Sequence, residues 1–260
     1  MNKLTVIIPV YNEANFLKRC LSSIVKQSHK VEVIIIDDCS TDGSAKLLET
    51  YKAYGFQIYH LQHQMGVSYA RNYGLDRVKT EWVTFLDADD EWTSNMTRLV
   101  FSKLDSNENI LSFNQLRHYD SGMIRQKYFN LAGLYTIRTR PKQYCMVWNK
   151  IYRTKFLNDN QIRFWEDISY GEDEIFNLEC LLKARIIRCF SPNIIIRHFD
   201  NKESIVHLLM KEDVDKQRNA LKKLKAKVSG SDKEIIEDII QEHNKSEWTK
   251  RILAKKDKHD

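Results

Sequence analysis

The chain is poor in the residues that punctuate or cross-link a fold. Three prolines and eight glycines in 260 residues leave little room for linkers or low-complexity coil. Five cysteines (Cys20, Cys39, Cys145, Cys180 and Cys189) are odd in number, widely spaced and without a CxxC pair. That spacing argues against a zinc ribbon or a thioredoxin-type redox motif and fits free thiols in a reducing compartment. No segment approaches the roughly 18 uninterrupted apolar residues of a membrane-spanning helix. The N-terminus runs straight into the apolar stretch Leu4 to Pro9 without a signal peptide's longer apolar region and cleavage site. The expectation is therefore a cytoplasmic chain. Neither G-x-G-x-x-G nor G-x-x-x-x-G-K-[ST] occurs, which argues against a dinucleotide dehydrogenase or a P-loop enzyme.

What is present is a chain with 42% hydrophobic and 29% charged residues and a net charge of +6. That is apolar enough for a real core. The positive balance fits an anionic partner or simply a solvated basic surface, and charge alone does not choose. The first ninety residues alternate between strand and helix patterns. Leu4 to Pro9, Val31 to Ile36, Phe56 to Leu61 and Glu81 to Leu86 read as strands. Glu13 to Gln27, a segment ending near Tyr54, and Gly66 to Asp76 read as helices. Such alternation predicts a parallel sheet with helices on both faces. A further helix is predicted from Thr93 to about Leu104, short strands and turns between Asn109 and Leu134, and a strand or turn from Trp148 entering a short helix near Phe156. Gly171 to Lys183 reads as a helix with acids in its first turn. Ile186 to Phe190 and Ile194 to His198 read as separate strands on either side of Pro192.

The run Trp82-Val83-Thr84-Phe85-Leu86 ends abruptly in Asp87, Asp89 and Asp90. A buried parallel strand delivers such carboxylates to the carboxyl edge of the sheet, where open α/β proteins bind ligands. Acids packed there repel one another unless a cation or a proton offsets them. Mg²⁺ or Mn²⁺, held by carboxylates and bridging to phosphate, is the natural partner. Two residues apart on an extended strand end, Asp87 and Asp89 would point the same way.

Six blocks in order resemble the family 2 glycosyltransferases: Val6 to Glu13, Ile35 to Ser44, Gly66 to Leu75, Phe85 to Asp90, Trp148 to Arg153, and Gly171 to Phe176. Together they cover residues 4–176, about two thirds of the chain. The resemblance implies an α/β GT-A fold: Rossmann-like, doubly wound, with a mainly parallel sheet. Residues 1–200 would form the catalytic domain, with 1–92 the nucleotide-binding half and 93–200 the acceptor-binding half. It implies a metal-dependent, inverting transfer from a nucleoside-diphosphate sugar, most simply UDP-linked, to a glycan or lipid-linked glycan acceptor, as in bacterial surface polysaccharide assembly. No nucleic acid is expected as partner. Two alternatives stand beside it, a sugar-nucleotide nucleotidylyltransferase and a non-catalytic member that binds a glycan or a membrane. The first should carry a Gly-rich loop after the first strand, which Tyr11-Asn12-Glu13 does not supply.

By the same resemblance, Pro9, Tyr11 and Glu13 border the nucleoside, and Asp38 bonds the base through its carboxylate. For Asp37 a role at the base and a local role as Asx turn or helix cap weigh evenly. Arg71 would clamp phosphate or hold Asp38 and the DxD loop, with a surface salt bridge as the plain alternative. Asp87 contacts the ribose or the metal, Asp89 binds the cation, and Asp90 caps the next helix or orients the acceptor. Asp173 takes the acceptor hydroxyl's proton while Glu172 orients the acceptor. Trp148 lines the acceptor pocket or packs in the core. His198 is a further metal ligand or an ordinary histidine at a strand end.

Beyond Asp200 strand formers become rare. Apolar residues fall at helical spacing, as in Leu221, Leu224, Val228 and Ile235, Ile236, Ile239, Ile240, with a break at Ser229-Gly230-Ser231. Residues 201–260 are therefore predicted to be an amphipathic helical tail. Near its end Trp248, Ile252 and Leu253 alternate with Lys250, Arg251, Lys255 and Lys256. That pattern suits a peripheral contact with the inner face of a membrane, or packing against the catalytic domain or a second subunit.

Overall fold

The computed structural model describes residues 3–119, 122, 124–125, 131–141, 144–198, 211–246 and 249. Four strands form the parallel part of one sheet: β1 (Leu4–Val10), β2 (Glu32–Asp37), β3 (Gln57–His60) and β4 (Trp82–Phe85). The sheet order is β3-β2-β1-β4-β9-β6-β10-β5. The strand order reverses between β1 and β4, the crevice where doubly wound sheets take their ligands. β9 (Lys150–Arg153) runs antiparallel to both β4 and β6 (Ile110–His118). β10 (Ile187–His198) is parallel to β6, and the short β5 (Glu91–Trp92) is antiparallel to β10. β7 (Ile124–Arg125) and β8 (Gly133–Tyr135) add edge pairings to β6 and β10. The sheet is thus parallel through its first half and mixed through its second.

The helices in chain order are α1 (Ala14–Val25), α2 (Ser44–Glu49), α3 (Val67–Leu75), α4 (Met96–Phe101), α5 (Thr154–Asp159), α6 (Glu172–Ala184), α7 (Lys211–Ala226) and α8 (Gly230–Lys245). Side chains of β1 alternate between two core layers, as a strand's period of two requires. Leu4, Val6 and Ile8 pack with Leu17 and Leu21 of α1 and Met96 and Val100 of α4. Ile7 faces the other layer, where Phe85, Phe164 and Phe176 meet Ala70 and Leu75 of α3. Phe164 and Phe176 stack at 4.1 Å, and Phe85 stands edge-on to Phe164 at 5.2 Å.

Two predicted breaks do not occur. The stretch predicted as short strands and turns contains the nine-residue β6. Its interleaved polar residues Ser112, Asn114 and Gln115 are buried beside Leu111 and Phe113, so no polar-out pattern marks it. Pro192 does not divide β10 into two strands. Register shifts between Cys189 and Ile195 absorb it, and Asn114 Nδ2 donates to the Ser191 carbonyl at 2.9 Å. A bulge is one of the few places inside a sheet that tolerates a residue without an N–H.

The described part of the tail is not separate from the domain. Leu221 and Leu224 of α7 and Ile235, Ile236, Ile239 and Ile240 of α8 belong to the same core layer as Phe85 and Phe176. Of the two readings of the tail, packing on the catalytic domain describes α7 and α8. Trp248, Ile252, Leu253, Lys250, Arg251, Lys255 and Lys256, on which the membrane reading rests, lie outside the described residues. Among the described residues no helix is long and apolar enough to cross a membrane.

α3 lies tight on β1 at Gly74, where an added Cβ would lie 2.6 Å from Cγ2 of the fully buried Ile7. Gly74→Ala is expected to cost about 1–3 kcal/mol by overpacking, read as a lower urea midpoint at unchanged slope.

Candidate active site

At the carboxyl edge the first two loops are laced together. Asn12, in a left-handed conformation with φ of 55°, accepts the Thr41 N–H on its side chain at 2.8 Å and donates its own N–H to Ser40 Oγ at 3.0 Å. The Glu13 N–H donates to Ser44 Oγ at 2.9 Å. Asp42 accepts the Ala14 N–H at 2.9 Å and also the Ser44 N–H and hydroxyl. α1 has no side-chain cap of its own, so the β2–α2 loop supplies one. Pro9 sits in β1 opposite Ile36, and Tyr11 presents its ring to solvent at 41% exposure.

Asp38 is buried and each carboxylate oxygen accepts a backbone N–H, from Met65 at 2.7 Å and from Gly66 at 2.8 Å. It therefore fixes the loop entering α3. Asp37 is taken up locally: Oδ1 accepts the Ser40 N–H, three residues on, at 3.1 Å, and Oδ2 lies 2.7 Å from His60 Nδ1.

Arg71 does not hold Asp38. It is 4% exposed and reaches the other way, to three acids from two distant parts of the chain. Nη1 donates to Glu172 Oε1 at 2.9 Å and Asp173 Oδ1 at 2.8 Å, and Nη2 donates to Asp87 Oδ1 at 3.0 Å. The guanidinium also lies 5.2 Å from the Phe164 ring centroid. Burial opposes its charge, yet Asp173, Asp87 and Glu172 outweigh that and raise its pKa. Burial raises the Asp173 pKa to about 7, with Arg71 restraining it and Glu172 and Asp87 pushing it further up. A carboxylate so placed is a stronger base than one in water, at the cost of needing its counter-ion.

The DxD segment is a turn, not an extended strand end: the Asp90 N–H donates to the Asp87 carbonyl at 3.1 Å. The alternation argument for Asp87 and Asp89 therefore does not apply. Both are half-buried at the crevice, and Arg19 Nη2 holds the Asp89 carbonyl at 2.6 Å. Asp90 neither caps α4, whose N-cap is Asn95, nor faces an acceptor. It is 1% exposed, accepts the His198 N–H at 2.9 Å and pairs with Arg197 at 3.4 Å. Burial drives its pKa well above the carboxylate range, Arg197 countering and the Asp89 and Asp87 charges adding to it.

His198 is tied to the same turn. Its Nε2 lies 2.9 Å from Glu91 Oε1, and its ring packs 4.8 Å from that of His118. Among the described residues no group of three or more His, Cys, Asp or Glu side chains could hold a metal alone. Two half-buried carboxylates do fit Mg²⁺ or Mn²⁺ completed by substrate phosphate oxygens and water, the usual arrangement for these hard cations.

Trp148 is a core side chain at 2% exposure with the Arg197 guanidinium 5.0 Å from its ring centroid. Stacking on a sugar needs an open ring face, and this ring has none to offer. Sequence reasoning missed two residues nearby. Lys150 is fully buried, bonded to the Met146 carbonyl and to Asn149 Oδ1, and burial lowers its pKa to about 8. Glu174, the third acid of the Gly171 block, turns inward. Neither has a sequence signal, since charged residues at helix and strand positions normally read as solvent-facing.

The model of glycosyl transferase family 2 matches residues 5–160. The chain belongs to that family. Glycosyltransferase GlyA of Streptococcus pneumoniae is 30% identical over 214 residues, which is 72% of this chain and 29% of that protein. The poly(ribitol-phosphate) β-N-acetylglucosaminyltransferase TarS of Staphylococcus aureus is 28% identical over 197 residues, 74% of this chain and 34% of TarS. The teichoic acid poly(glycerol phosphate) polymerase of Staphylococcus epidermidis is 33% identical over 202 residues, 74% of this chain and 28% of the polymerase. This chain thus spans about a third of the length of these curated relatives. The structure of TarS 1–349 in complex with UDP superposes with a TM-score of 0.79 at 25% identity, covering 98% of this chain and 75% of that one. The fold is GT-A. Family membership leaves the nucleotidylyltransferase alternative without support.

Replacing Arg71 by Met leaves Asp87, Glu172 and Asp173 without their counter-ion. The expected loss is about 3 kcal/mol at pH 7.5. The orphaned carboxyls would have raised folded pKa values, so protonation relieves their repulsion. The gap between variant and wild type should therefore narrow as pH falls to 5, measured by urea unfolding at both pH values.

Proposed function

We propose that this chain catalyses metal-dependent, inverting transfer of a sugar from a UDP-sugar to a glycan or lipid-linked glycan acceptor in surface polysaccharide synthesis. The observation that carries this reading is the bridge by Arg71 between Asp87 of the DxD turn and the Glu172–Asp173 pair of α6. It sets a cation- and phosphate-binding edge and a base with a pKa of about 7 on one guanidinium. Tyr11 and the loop fixed by Asp38 border the place for the nucleoside. Pro9 and Glu13 shape the turn beneath it.

In the transfer, the acceptor hydroxyl oxygen attacks the anomeric carbon from the face opposite the phosphate, and its proton passes to the Asp173 carboxylate. The anomeric C–O bond breaks and its electron pair leaves with UDP. Glu172 orients the acceptor. Asp87 and Asp89 would hold Mn²⁺ or Mg²⁺, which would supply Lewis-acid neutralisation of the leaving diphosphate. The activity named for TarS, and the UDP-GlcNAc bound in a TarS structure, make UDP-GlcNAc and poly(ribitol-phosphate) the first donor and acceptor to try.

A thermal-shift screen of UDP- and GDP-sugars with Mn²⁺ should single out UDP-sugars, since specific binding stabilises the folded state. UDP release from the best donor is expected to fall by about 10³-fold in Asp173→Asn, and to lose its Mn²⁺ dependence in Asp89→Ala. Release that keeps its rate in Asp173→Asn and its metal dependence in Asp89→Ala would refute these assignments. Asp173 accepts a proton only when ionised. Wild-type kcat/KM should therefore decline tenfold per pH unit below about 7, and a flat profile down to pH 5 would remove Asp173 as base.

A further inference from the structure

The turn that carries Glu172 and Asp173 is held from behind by the C-terminal helices. Glu174, next in sequence and 5% exposed, points away from the crevice. Its Oε2 accepts Gln217 Nε2 of α7 at 2.9 Å and lies 3.0 Å from His243 Nε2 of α8. Its Oε1 accepts the Tyr144 hydroxyl and lies 3.1 Å from the same His243 nitrogen. Each carboxylate oxygen is thus engaged by two donors inside the protein. Burial disfavours the charged imidazole, but Glu174 and Glu242 outweigh it, with Arg218 opposing, and the His243 pKa lies above its ordinary value. Glu174 thus favours the charged form of His243, which is placed to donate to it.

The same turn has little freedom elsewhere. Gly171 adopts φ of +75°, and any Cβ there would overlap the Gln217 side chain. Ser169 donates to Asp213 of α7 at 3.0 Å, and the Asn177 amide donates back to the Asp173 carbonyl at 2.9 Å. On the crevice side, Arg71 takes Glu172 and Asp173 from the front. One helical turn is therefore clamped between a guanidinium and one buried carboxylate with its donors.

We propose that Gln217 and His243 are positioning residues for the transfer step, acting through Glu174 to set the first turn of α6 and hence the aim of Asp173 and Glu172. This rests on the reading of Asp173 as base. The helical tail then completes the active site from behind, although neither helix reaches the crevice through the residues named. Small displacements of a catalytic group cost much rate, so the expected effect falls on kcat and not on donor affinity.

The test uses the full chain with Gln217→Leu, His243→Phe and the conservative His243→Gln, which keeps a donor. Amide hydrogen exchange is followed over residues 168–176. UDP release is followed on the UDP-sugar that wild type hydrolyses fastest, and UDP binding by calorimetry. The expected result is faster exchange at 168–176 in the first two variants. UDP release should fall about ten- to a hundred-fold with UDP affinity within about twofold, and His243→Gln should recover most of the rate. Unchanged exchange overturns the inference whatever the activity. So does faster exchange with an unchanged rate, or a loss of rate, UDP affinity and melting temperature together that His243→Gln does not rescue. Asp173→Asn is run beside them: if it keeps the wild-type rate the base assignment has failed. If it is inactive while Gln217→Leu and His243→Phe keep the wild-type rate, the positioning inference alone has failed.

Discussion

One buried guanidinium decides how this site can exist. Asp87 lies 85 residues before Glu172 and its neighbour Asp173 in the chain, and all three touch Arg71. Without a cation those acids would repel one another and pull the β4 edge away from α6. With it, the two halves of the crevice are drawn onto a single planar group whose donors have fixed directions. The energetic worth of such a buried cluster is ambiguous, because desolvation offsets much of the attraction. Its geometric effect is not: the DxD turn and the Glu172–Asp173 turn are registered to each other before any ligand arrives.

The rest of the fold can be read as support for that registration. α3 carries Arg71 and lies tight on β1 because Gly74 has no side chain to keep them apart. Phe164 lies beside the guanidinium and stacks on Phe176, so the same aromatic cluster backs the arginine and α6. Asp90 anchors the DxD turn from the other side through Arg197 and the backbone of His198. Both sides of the crevice are therefore fixed by buried charge, and the loops between them are left to shape specificity.

The parallel half of the fold was legible because its strands are unbroken apolar runs and its helices have one apolar face. β1, β2 and β4, with α1 and α3, lie within a residue or two of where the hydrophobic pattern puts them. β6 was not legible, since Ser112, Asn114 and Gln115 interrupt the run and are buried by partners no local pattern reveals. Nor was the unity of β10, because a bulge hides Pro192. At the site, the blocks named Asp87, Asp173 and Arg71, but not that they meet on Arg71, which is a long-range fact. For Trp148 the core alternative holds, and Asp90 does not cap the next helix, for one reason: tertiary packing turns both inward. Glu174 was passed over because an acid in a first helical turn already has a sufficient local explanation.

The lacing of Asn12, Ser40, Thr41, Asp42 and Ser44 has a thermodynamic consequence for recognition. Two loops that would otherwise wander independently are joined into one rigid lip, and the entropy of ordering them is surrendered during folding. A ligand meeting that lip has less disorder to quench. More of its contact energy can then appear as affinity, and discrimination between bases becomes a matter of fit to a preset contour.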